Sequence, residues 1–249
     1  MLAIIGGSGL AQLANLEIMR RQIVRTPYGE PSGPVTFGHI GAGEVAFLAR
    51  HGYGHTLAPH EINYRANLWA LKEKGVTRIL AVCTVGGIAP DYAAGTLAIP
   101  DQIIDYTWGR KATFFEGGEG PVVHVDFTHP YCEVTRAMLV GAAAEAGVAV
   151  IPRGTYAAVQ GPRLETKAEI DRLERDGAHV VGMTGMPEAA LARELGIPYA
   201  ALAVVANPAA GRGASAEAIS LEEISRVLKE AMGRVREVVG KVVERHGHP

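Results

Sequence analysis

Leu2-Ala3-Ile4-Ile5-Gly6-Gly7-Ser8-Gly9 opens the chain with a short apolar run that stops on a glycine-rich turn. An unbroken run of this length, without polar alternation, predicts a buried strand. The same grammar recurs downstream. Residues 45–49 predict a second strand closing on Arg50-His51-Gly52, and residues 78–83 a third running into Thr84-Val85-Gly86-Gly87. Between them, residues 61–74 predict a helix, with Leu68, Trp69 and Leu71 on overlapping faces and Gly75 at its C-terminal stop.

The second half continues in kind. Residues 132–146 predict a helix, followed by strands near 149–151 and 156–159. Gly161-Pro162-Arg163 precedes a helix over 165–176 that Gly177 stops. A strand at 179–181 runs into Gly182-Met183-Thr184, and Pro187 sits suitably in the first turn of the next helix. Residues 199–206 predict a long apolar strand. The last helix opens at Ser220 with Glu223 three residues on, a capping-box signature, and carries Leu221, Ile224, Leu228, Met232, Val235 and Val239 at helical spacing. This alternation predicts an α/β fold, a mixed or mainly parallel sheet with helices on both sides. No repeat, linker or low-complexity tract divides the chain, so one domain over residues 1–249 is expected.

Composition narrows the function. At 249 residues, 48% hydrophobic and 20% charged, the chain can build a substantial core. The formal charge is −2 with Lys and Arg scattered, which argues against nucleic acid as a partner. Cys83 and Cys132 make neither a metal spacing nor a disulfide framework and read as reduced thiols of a cytoplasmic protein. The apolar run at the start meets Gly6-Gly7 too soon for a signal peptide, and no long uncharged apolar run suggests a membrane span.

In open α/β sheets, ligands bind beyond the carboxyl ends of strands. Here four predicted strand ends, Gly6–Gly9, Arg50-His51, Thr84–Gly87 and Met183-Thr184, gather backbone N–H groups, hydroxyls, a guanidinium and an imidazole. An oxyanion such as phosphate requires those groups. The glycine-rich turn is neither a Walker loop, since no Gly-Lys-Ser/Thr follows, nor a full dinucleotide fingerprint.

Five motifs then stand in order along nearly the whole chain. They are Ile5-Gly6-Gly7-Ser8-Gly9, Ala49-Arg50-His51-Gly52, the run from Asn63 to Leu71, Gln160-Gly161-Pro162-Arg163, and Gly182-Met183-Thr184-Gly185-Met186-Pro187-Glu188. In these the chain resembles the trimeric purine nucleoside phosphorylase and methylthioadenosine phosphorylase family. The resemblance implies a single-domain phosphorylase fold and a homotrimer with active sites at subunit interfaces. It also implies inorganic phosphate as co-substrate, with no metal or organic cofactor. Ser8, Arg50, His51, the backbone around Thr84, and Thr184 match the family's phosphate ligands, and Met183 the residue beneath the ribose. His124, in His124-Val125-Asp126-Phe127, matches the loop lent by a neighbouring subunit.

Two positions bear on the base. Family members selective for 6-oxopurines carry Glu and Asn where adenine-selective members carry Ser and Asp, and this chain has Glu165 and Asn207. A Glu165 carboxylate can accept the N1–H of hypoxanthine or guanine, which adenine lacks. The Asn207 amide can donate to O6 or N7 as charge builds on the departing base. A site matched to one pattern leaves buried groups unpaired with the other, a discrimination of about 10⁴. Read alone, Glu165 is also a good helix-start residue and Asn207-Pro208 a good turn.

For the sugar, alignment through the start of the last helix puts Leu221 where ordinary nucleoside phosphorylases carry a histidine for the 5′-hydroxyl, with Ile224 one turn along. An apolar wall suits a thiomethyl group, although both residues also read as core positions of an amphipathic helix. Leu164 departs from the aromatic usual beneath the base. Oxopurine base and methylthio sugar together imply phosphorolysis of 5′-methylthioinosine, through an oxocarbenium-like sugar captured by phosphate. Phosphorolysis of inosine or guanosine, phosphorolysis of methylthioadenosine, and a non-catalytic nucleoside-binding regulator remain as alternatives.

Overall fold

The computed structural model describes residues 1–10, 15–116 and 122–246. Its centre is a mixed sheet built around β1 (Leu2–Gly6), β5 (Arg78–Gly87) and β11 (Tyr199–Pro208). β1 lies parallel between β4 (Gly43–Ala49) and β5, and β11 runs parallel to β5 on a further side. Side chains alternate across these strands, and both faces are buried. Ala3, Ile5, Ile79, Ala81, Cys83, Tyr199, Ala201 and Ala203 fall in one core cluster. Leu2, Ile4, Leu80, Val82, Ala200, Leu202 and Val204 fall in the other. That explains the apolar runs without polar alternation.

Helices cover each face. α1 (Tyr64–Glu73) and α4 (Gly185–Glu194) pack Leu68, Leu71, Ala189 and Leu191 on the first cluster. α2 (Glu133–Glu145) and α5 (Leu221–His246) pack Leu139, Ala142, Met232, Val235, Val238 and Val239 on the second. Full burial of each Val or Leu contributes about 1.5–3 kcal/mol, so α5 is anchored along its middle and C-terminal turns. α3 (Lys167–Arg175) carries the capping box, Thr166 with Glu169, and seats Ile170 and Leu173 on a smaller third cluster.

Three features differ from the sequence reading. Thr84–Gly87 is not a loop past a strand end but the last part of β5. There β5 keeps parallel β11 on one side and exchanges β1 on the other for antiparallel β10 (Val180–Gly182), pairing Gly86 with Val181 and Gly87 with Val180. A hairpin edge was not foreseen: β2 (Glu17–Gln22) and β3 (Val35–Ile40) add antiparallel strands beside β4. Of the short strands that complete the sheet, β8 (Val150–Ile151) and β9 (Thr155–Ala158) match the expected ones, whereas β6 (Leu97–Ala98) and β7 (Gln102–Asp105) have no counterpart in the sequence reading. Among the described residues, no helix is long and apolar enough to cross a membrane.

Candidate active site

The turn after β1, the ends of β4 and β10, and the distal halves of β5 and β11 meet at one cavity. It is lined by Gly7, Ser8, Arg50, His51, Thr84, Gly86, Leu164, Glu165, Met183, Thr184, Asn207 and Ile224, with Ile219, Leu228 and Val181 adding apolar wall. Every site residue expected from the sequence stands here except Leu221 and His124. Leu221 is 69% exposed and lies outside the lining, because it is the first residue of α5 and the anchored part of that helix begins a turn later. The apolar wall from α5 is instead Ile224 and Leu228, and the reading of Leu221 as its first member is corrected accordingly. His124 is exposed and away from this cavity.

The floor is an ion pair. Arg50 and Glu188 are both fully buried, with Arg50 Nε donating to Glu188 Oε2 at 2.6 Å and Nη2 to Oε1 at 2.8 Å. Nη1 donates to the Val82 carbonyl at 3.1 Å, and Nη2 lies 3.9 Å from Cys83 Sγ. Burial alone would lower the Arg50 pKa, but the Glu188 carboxylate outweighs it and the net direction is upward. The guanidinium is therefore a permanent cation. Sequence reasoning gave Glu188 no role, since a Glu after Met-Pro at a helix start reads as ordinary dipole complementation.

The glycine-rich turn is built onto this floor. A Cβ on Gly7 would stand 2.7 Å from the Val82 carbonyl oxygen and 2.9 Å from Arg50 Nη1, so only glycine lets the backbone approach so closely. Thr84 Oγ1 donates to the Ser8 carbonyl at 3.0 Å, tying the turn to β5. Thr184 is buried at the start of α4, and its hydroxyl makes no capping bond there.

His51 is held in one tautomer. Its Nδ1 lies 2.8 Å from the Leu57 carbonyl, which can only accept, so Nδ1 carries the hydrogen. Burial is the main reason its pKa is held at about 4; the Leu57 bond opposes this, while Arg50 and His55 nearby add to it. At neutral pH the ring is uncharged and Nε2 is an acceptor.

Asn207 and Glu165 stand further along. Asn207 pairs in register with Gly86, and Val204 with Thr84, with a bulge between Val205 and Asn207. Asn207 is thus two residues along the sheet from Thr84, about 7 Å at about 3.3 Å per residue. Its Nδ2 donates one hydrogen to the Pro208 carbonyl at 2.6 Å, leaving the other to the cavity. Glu165 precedes the Thr166 cap of α3, and burial pushes its carboxyl pKa upward. Met183 packs on Gly161, whose φ of +61° favours glycine and whose Cβ would stand 2.4 Å from Met183 Sδ. Among the described residues no cluster of His, Cys, Asp or Glu could hold a metal ion.

Residues 1–244 match the family model described as Phosphorylase superfamily. A probable S-methyl-5′-thioinosine phosphorylase of Pseudomonas syringae pv. tomato is 53% identical over 241 residues, 97% of each chain. A 6-oxopurine nucleoside phosphorylase of Pyrococcus furiosus is 52% identical over 215 residues, 84% of this chain and 80% of that one. Among solved structures, methylthioadenosine phosphorylase from Schistosoma mansoni in complex with adenine superposes with a TM-score of 0.93 at 32% identity, covering 98% of this chain and 90% of that one. The chain belongs to the phosphorylase superfamily.

Proposed function

We propose that the protein cleaves 5′-methylthioinosine with inorganic phosphate, giving hypoxanthine and 5-methylthioribose 1-phosphate. The observation that carries this is the single cavity that joins an anion cradle to Glu165, Asn207 and an apolar wall. The cradle comprises the Ser8 and Thr184 hydroxyls, the backbone around Thr84, the turn at Gly7 and the Arg50 cation. A neutral His51 with a free Nε2 suits the P–OH of monohydrogen phosphate as its donor. About 7 Å along the sheet, Asn207 is suitably spaced to meet the purine of a nucleoside whose C1′ faces that phosphate.

In this scheme the C1′–N9 bond breaks first and its electron pair leaves on the base. Asn207 Nδ2 donates to the charge developing at N7 or O6, and Glu165 accepts from N1–H. A phosphate oxygen then forms the new bond to the oxocarbenium-like C1′, and the base leaves as neutral hypoxanthine by taking up one proton, balanced by the proton that the monohydrogen phosphate gives up. The protein contributes orientation and fixed dipoles, and neither a covalent intermediate nor an organic cofactor enters the scheme. Ile219, Ile224 and Leu228 give the sugar's 5′ end an apolar surface, which favours thiomethyl over hydroxyl. The name of the Pseudomonas relative supports the same substrate.

A homotrimer is part of the proposal. Val122, Val123 and Val125 flank His124 and are all exposed, as suits a segment that packs on a neighbour and lends that histidine to its site. A second reading, phosphorolysis of inosine and guanosine, draws on the exposure of Leu221 and on the Pyrococcus relative. Catalytic efficiencies on methylthioinosine, methylthioadenosine, inosine and adenosine, measured in phosphate, separate these. Methylthioinosine is expected to lead; a lead for methylthioadenosine would overturn the roles given to Glu165 and Asn207.

A further inference from the structure

We infer that Glu188 is a positioning residue for phosphate, acting through Arg50. The inference rests on the phosphate role proposed above for Arg50. A guanidinium has five N–H donors in a fixed plane. Glu188 takes two of them, at 2.6 and 2.8 Å, on the Nε and Nη2 edge. Val82 takes one from Nη1, and Cys83 sulfur sits at 3.9 Å from Nη2. That leaves one Nη1 hydrogen without a partner among the described residues. Nη1 lies against Gly7, and Gly7 and Arg50 both line the cavity.

The carboxylate is itself clamped. Tyr199 donates its hydroxyl hydrogen to Glu188 Oε1 at 2.8 Å, and Tyr199 is buried within β11. Bidentate pairing fixes the guanidinium plane as well as its position. A rotation of that plane would carry the unused N–H away from the cavity. Glu188 also balances the Arg50 charge, so an incoming oxyanion meets a directed donor rather than an unpaired buried cation.

The test uses Glu188→Asp, which keeps the charge but withdraws the carboxylate by one methylene, and Tyr199→Phe, which removes only the clamp on Oε1. Phosphate binding is read by calorimetry without nucleoside, and KM for phosphate and for methylthioinosine in steady state. Glu188→Asp is expected to weaken phosphate binding and raise its KM at least tenfold, with nucleoside KM within twofold. Tyr199→Phe is expected to raise phosphate KM about threefold with the same selectivity, and it carries the test if Glu188→Asp does not fold. Folded variants that bind phosphate as the parent does, or that lose phosphate and nucleoside equally, overturn the inference. If the parent protein itself binds no phosphate, the proposed function fails instead, so the two failures are distinct.

Discussion

Gly7→Ala isolates one contact on which the anion cradle depends. Gly7 does not adopt a left-handed φ, so alanine adds no backbone strain and the substitution tests close approach alone. The new methyl would lie 2.7 Å from the Val82 oxygen and 2.9 Å from Arg50 Nη1. Against an ordinary contact of 3.4 Å these fall short by about 0.7 and 0.5 Å. Neither neighbour can yield. Val82 is fixed in β5, paired in register with Leu202 of β11, and Arg50 is held by Glu188. The turn must therefore lift from the floor. Overpacking of this kind costs about 1–3 kcal/mol. If the loss falls on the anion-bound geometry, phosphate KM rises by about 5- to 150-fold. Steady-state kinetics at saturating nucleoside, with varied phosphate, reads this directly, and a melting curve reports any share taken by the fold. A variant with parental phosphate KM and parental melting temperature would refute the account of the cradle.

Three further outcomes follow from the same site. Asn207→Ala should lower turnover by about 10²–10³, the cost of removing one transition-state donor, while phosphate KM stays within threefold; near-normal turnover would remove Asn207 from the chemistry. Ile224→His should lower the ratio of methylthioinosine to inosine efficiency at least tenfold, whereas Leu221→Ala, on an exposed side chain, should leave that ratio within twofold. His51 titrates at about 4 in the fold against an ordinary 6.5, so between those values the unfolded chain binds the extra proton. Stability in a phosphate-free buffer should then fall as pH drops through that window, and His51→Gln should flatten this part of a melting-temperature profile.

Much of this was legible because the chemistry lies on backbone-rich strand ends that interrupt apolar runs. Gly7-Ser8, Arg50-His51 and Thr184 announce themselves that way, and they do converge on the cavity. The hairpin edge was not legible for the opposite reason. β2 is almost wholly exposed and reads Glu-Ile-Met-Arg-Arg-Gln, without alternation, and Gly38 interrupts β3. Leu221 and Ile224 share a helical stripe, so periodicity cannot say which of them reaches the cavity; that depends on where the helix meets the sheet. Glu188 needs a partner 138 residues away, and no local pattern encodes such a pair.

The bulge in β11 shows how an illegible detail can decide function. Strand periodicity sends successive side chains to opposite faces, and a one-residue slip reverses them. Val204 pairs with Thr84 and Val205 with Val85, but Asn207, not Ala206, pairs with Gly86. The extra residue re-aims everything after it. Without the bulge, Ala206 would occupy the register opposite Gly86 and the amide would lie one step further, on the other face. With it, Asn207 stands beside Gly86, which brings no side chain of its own, and Pro208 anchors one amide hydrogen. On the proposed reading of Asn207, the base-recognition site is made by a register shift beside a glycine. For that reason a bare Asn-Pro pair, so ordinary as a turn signal, can also carry the discriminating contact.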